Sequence, residues 1–82
     1  MPMADLDRKH SVKNLSLFLS LQEAKQIQYE LGKLLNDPEA NEHFHVNDEN
    51  YTREFSCSII TENKLKHIKN YNYLEQQILS KE

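Results

Sequence analysis

The chain has 82 residues, a formal net charge of −3, one cysteine and one glycine. Only Arg8 and Arg53 are arginines, so the basic face that phosphate backbones require is missing. Cys57 alone excludes an intrachain disulfide and a Cys-rich structural zinc, and no apolar run approaches the ~20 residues of a membrane-spanning helix. A cytoplasmic protein is expected, without nucleic acid, membrane or cofactor as partners. A domain this small has a narrow stability margin, which makes a partner protein or self-association plausible on energetic grounds.

Residues 1–13 mix charges with single apolar side chains and read as a flexible leader, leaving one domain over residues 14–80. Leu15, Leu17, Leu19 and Leu21 then alternate with Ser16, Phe18 and Ser20. This period of two predicts a first strand with a leucine face. Ser20 with Glu23 three residues on is a capping box, so helix should follow at once. Ala24, Ile27, Leu31, Leu34 and Leu35 continue with helical spacing, and Asn36-Asp37-Pro38 ends the run because proline has no N–H to donate. Gly32, inside this helix, suggests a close approach to a sheet.

Two more strands are expected, His43 to Val46 and Arg53 to Thr61, joined by Asn47-Asp48-Glu49-Asn50. Asn and Asp tolerate the backbone that a hairpin turn needs. Phe44, Val46, Phe55, Cys57 and Ile59 share one face, and His43, His45, Ser56 and Ser58 share the other. Leu65, Ile68, Tyr71, Leu74 and Ile78 predict a second helix from near Lys64 to near Leu79. It should break around Asn70–Asn72, where Asn72 and Glu75 can cap a new start. The expected fold is α+β, a β-α-β-β-α domain. Its three-stranded, mainly antiparallel sheet has order 1-3-2, with both helices on one face. The other face stays open and carries Ser16, Phe18, His43, His45, Ser56, Ser58 and Ile60.

His43 and His45 are the first candidates for chemistry. A metal site needs three or four ligands, and a His-x-His pair supplies two, so the rest would have to come from His67, Glu42 or a second chain. Acid–base catalysis needs groups of different roles facing each other across a substrate, and these two lie side by side. Cys57 reads as a buried small hydrophobe, and Tyr71 and Tyr73 as helix-packing residues. No catalytic Ser-His-Asp spacing or phosphate-binding loop is present. Asp37, Glu39, Glu42, Asp48, Glu49 and Glu54 form an acidic middle opposed by Arg53. This is either a solvated surface or a patch that steers a basic protein partner.

The capped Leu-rich helix, His43-Phe44-His45-Val46, an acidic turn and the strand Phe55-Ser56-Cys57-Ser58-Ile59-Ile60 resemble small α+β immunity proteins of bacterial polymorphic toxin systems. That resemblance implies a non-enzymatic module that binds and neutralises a cognate toxin. The expected contact residues are Phe18, His43, His45, Asp48, Glu49 and Ile60, with no metal. Two alternatives stand beside it. One is a regulatory or structural protein that forms a homodimer through the open sheet face. The other is a small metal-binding protein using His43 and His45.

Overall fold

The computed structural model describes residues 1–81. The α+β class holds, but the three-stranded sheet does not: the described residues form two separate two-stranded antiparallel sheets with three α-helices. The chain divides into two compact units, one of Phe18–Thr61, the other of Met1–Leu17 with the chain from Glu62 onward.

The central unit holds helix α1 (Leu21–Asn36) and the hairpin formed by β3 (His43–Asn47) and β4 (Glu54–Ser58). The capping box is closed from both sides: the Ser20 hydroxyl accepts from the Glu23 N–H at 3.1 Å, and Glu23 Oε1 accepts from the Ser20 N–H at 2.8 Å. At the far end the Asp37 N–H donates to the Leu34 carbonyl at 3.2 Å, and Pro38 prevents continuation. The strands pair from His43↔Ser58 to Asn47↔Glu54, so Phe44, Val46, Phe55 and Cys57 fall on one face. Leu34, Phe44 and Val46 are buried there, with Ile27, Phe55, Cys57 and Ile59 packed around them.

Two expectations about this unit change. Of the predicted apolar stripe on α1, Leu34 is buried and Ile27 half-buried, while Leu31 and Leu35 are exposed. A hairpin of two strands is too narrow to cover the whole stripe. Nor does Gly32 mark a close approach, since a Cβ built there meets nothing within 4 Å.

The expected first strand is a larger correction. Residues 14–20 pair with no strand, and the division between the compact units falls between Leu17 and Phe18. Alternation specifies which side chains share a face, but not whether a partner edge exists. The β3–β4 pairing closes locally through a short turn, whereas a third strand would have required non-local contact.

In the second unit, β1 (Ala4–Asp5) and β2 (His10–Ser11) form a minimal antiparallel hairpin within the stretch expected to be a leader. Asp5 closes its turn: Oδ1 accepts from the N–H groups of Asp7 and Arg8, both at 3.1 Å. Lys9 takes a left-handed conformation with φ 58°. The predicted second helix is present in pieces: α2 (Glu62–Lys66), a 3₁₀ turn (Ile68–Asn70) and α3 (Tyr73–Lys81). One break, at Tyr71–Asn72, falls within the expected Asn70–Asn72; another, at His67, was not expected. The Asn72–Glu75 box forms, with reciprocal bonds of 2.9 and 3.1 Å. Helix α3 packs on β2 and buries Ile78. Tyr71 is half-buried as expected of a packing residue, but Tyr73 is exposed and its hydroxyl accepts from Gln77 at 2.6 Å.

Candidate functional site

The alternation of β3 and β4 sends Phe44, Val46, Phe55 and Cys57 toward α1 and leaves His43, His45, Asn47, Glu54, Ser56 and Ser58 outward. This outward face is exposed throughout. The His43 and His45 rings meet edge to face with centroids 4.7 Å apart. His45 Nδ1 lies 2.7 Å from Glu54 Oε1, a diagonal cross-strand contact. Glu54 was counted only as part of an acidic run in the sequence. The signal that would have found it is its register, two residues before Ser56, which pairs with His45.

The turn is built around Asp48. Its Oδ1 accepts from the Thr52 N–H at 2.7 Å and the Arg53 N–H at 3.1 Å, and its Oδ2 accepts from the Thr52 hydroxyl at 2.6 Å. The Asp48 N–H donates to the Arg53 carbonyl and the Tyr51 N–H to the Asp48 carbonyl, at 3.1 and 3.0 Å. Tyr51 stands at φ 55°, in the left-handed region usually left to glycine or asparagine. The Thr52 hydroxyl bond, then the Arg53 N–H, hold the Asp48 carboxyl below its ordinary value. Partial desolvation opposes them, and the Thr52 N–H and the Arg53 charge add smaller lowering effects. Asp48 is thus engaged by its own turn, while its neighbour Glu49 is exposed.

The acidic middle is similarly divided. Glu39 accepts from the Thr61 hydroxyl at 3.0 Å and Glu54 faces His45, whereas Asp37 and Glu42, like Glu49, are exposed. Of the predicted contact residues, the hairpin brings together His43 and His45 on its outer face and carries Asp48 and Glu49 in its turn. Phe18 and Ile60 belong to no strand; Phe18 is 94% exposed and Ile60 half-buried. They are not part of a shared sheet face, because the third strand that would have carried Phe18 does not form. Among the described residues, no group of three or more His, Cys, Asp and Glu side chains is placed to hold a metal ion. Cys57 is half-buried behind the hairpin, and desolvation raises its thiol above its ordinary value. No helix among the described residues is long and apolar enough to cross a membrane.

No protein-family model, curated protein or solved structure matches this chain.

Proposed function

We propose that this chain is a non-enzymatic protein-binding module that acts as small immunity proteins do, neutralising a cognate toxin by covering part of its surface. The observation that carries this reading is the β3–β4 hairpin. Its back is fixed by buried Phe44 and Val46, each 5% exposed, while its front displays an uninterrupted polar strip of His43, His45, Glu54, Ser56 and Ser58. A strip whose positions are set from behind loses little conformational freedom on binding, which favours recognition by preorganisation. Glu49 and Glu42 give the hairpin an exposed acidic border, suited to a basic partner surface.

The test uses the product of the adjacent reading frame as candidate toxin. Coexpression should abolish its toxicity, and the purified proteins should form a 1:1 complex. Glu49→Lys should slow association and flatten its dependence on salt, because the exposed charge steers the encounter without holding the turn. Absence of a complex at micromolar concentration would overturn the reading. Unchanged association rates would remove its electrostatic part.

A further inference from the structure

The β3–β4 ladder decides which of its backbone groups are left over. The Asp48 N–H donates to the Arg53 carbonyl, which makes these two a hydrogen-bonded pair at the turn end of the ladder. Hydrogen-bonded and non-hydrogen-bonded pairs alternate between antiparallel strands. Along the observed register Phe55 and Cys57 therefore bond to Val46 and Phe44, and the N–H and C=O groups of Glu54, Ser56 and Ser58 point away from β3. Those three residues are exposed, and among the described residues no strand or hydrogen bond meets their outward backbone groups. Such an edge is a template for a further strand. The β3 edge is open in the same way at His43, His45 and Asn47, but the two edges differ in what lies behind them. Helix α1 packs on β3 and buries Phe44 and Val46, whereas Phe55 and Cys57 on β4 are half-buried. A strand added at β4 extends the apolar face where it is least covered.

We propose that β4 pairs antiparallel with β4 of a second copy, across a two-fold axis at Ser56, to give one four-stranded sheet. A two-fold interface must be self-complementary, residue i meeting j and j meeting i. In this register Glu54 meets Ser58, Phe55 meets Cys57 and Ser56 meets Ser56. The outward groups of Glu54, Ser56 and Ser58 then face one another as hydrogen-bonded pairs, each exchanging both bonds. On the inner face each Phe55 ring lies against the partner's Cys57, a favourable sulfur–aromatic contact. A shift by one residue turns the bonding groups and the apolar faces the wrong way. A shift by two that centres on Phe55 brings the two Glu54 carboxylates onto diagonal positions about 7–8 Å apart. A shift that centres on Cys57 moves Glu54 past the end of the partner's strand. Pairing at Ser56 alone uses the whole of Glu54–Ser58 and sets the two carboxylates at opposite ends, each across from a serine hydroxyl that can donate to it. The same operation at β3 would oppose His45 to His45, like charges once protonated. The two β3 strands would lie about 14 Å apart, three strand spacings, which leaves room for an α1 helix over each. The pairing uses an edge of the hairpin and leaves its polar face free, so it does not depend on the toxin-binding reading.

Sedimentation of the full chain should show a reversible shift from one chain to two as concentration rises. Over the same range amide exchange should slow at Glu54, Ser56 and Ser58 and stay fast at His43, His45 and Asn47. Ser56→Lys and Ser56→Glu, at an exposed position, should keep the native circular dichroism. Each should weaken self-association about fivefold at low salt, because like charges then stand opposed across the axis. An equimolar mixture of the two should dimerise at least as well as the parent, since in this register alone position 56 faces itself. A strict monomer at every concentration would overturn the proposal. Slowed exchange at His45 in place of Ser56 would overturn the choice of edge, and a mixture no better than either variant alone would overturn the register.

Discussion

Asp48 shows how a side chain in a turn of acidic residues can be structural. Three of its five hydrogen bonds use carboxylate oxygens, and they pull its ionisation below the ordinary 3.8. Because the folded-state value is the lower one, the contribution of the charged form is complete above pH 3.8 and is lost as pH falls through that lower value. Asp48→Asn, which keeps an acceptor without the charge, should be less stable than the parent at neutral pH. The gap should narrow below pH 3.8. Urea denaturation across that range measures it; a gap independent of pH would show that charge is irrelevant in the turn. The His45–Glu54 contact is different in kind. Both side chains are half-exposed, and a contact of that sort contributes no more than about 1 kcal/mol. Its effect is to set the direction of the His45 ring on the polar strip.

At the scale of elements, local signals were legible and non-local ones were not. The Ser20–Glu23 and Asn72–Glu75 boxes announce the starts of α1 and α3 because each is complete within four residues. The Phe44/Val46 and Phe55/Cys57 alternation placed the hairpin face correctly for the same reason. The Leu15–Leu21 alternation was as clear, yet it formed no strand within the chain, since pairing depends on a partner edge that periodicity does not encode. At the site, His43 and His45 were legible as neighbours on one face. Glu54 and Thr52 were not, because their roles come from cross-strand register and turn closure. Gly32 was read as a packing contact, and the space around it says otherwise. Gly32→Ala should therefore stabilise α1 by roughly 0.5–1 kcal/mol through backbone entropy, with no clash to offset it. Thermal unfolding followed at the helix signal checks this, and a loss of stability would mean that the open space is occupied in solution.

For the molecule, the consequence of two compact units is that neither has a large core. In the central unit three side chains are buried, Leu34, Phe44 and Val46. Leu34→Ala removes the one buried side chain that α1 gives that cluster, leaving half-buried Ile27, and should cost about 2–5 kcal/mol, comparable with what a core this small supplies. Loss of the cooperative urea transition is the expected outcome; an intact transition would show that the hairpin holds without the helix. A saturating partner that binds only the folded form should raise the midpoint in proportion to the logarithm of its concentration. The Asp48 turn has one more consequence, in the order of events during folding. Every hydrogen bond of its carboxylate reaches a residue no more than five positions away. Such a loop closes in well under a microsecond, long before β3 and β4 align over α1. Asp48→Ala should accordingly slow folding while leaving the unfolding rate nearly unchanged, the pattern of a contact already made in the transition state. The hairpin that displays the polar strip would then also be the place where the chain begins to fold.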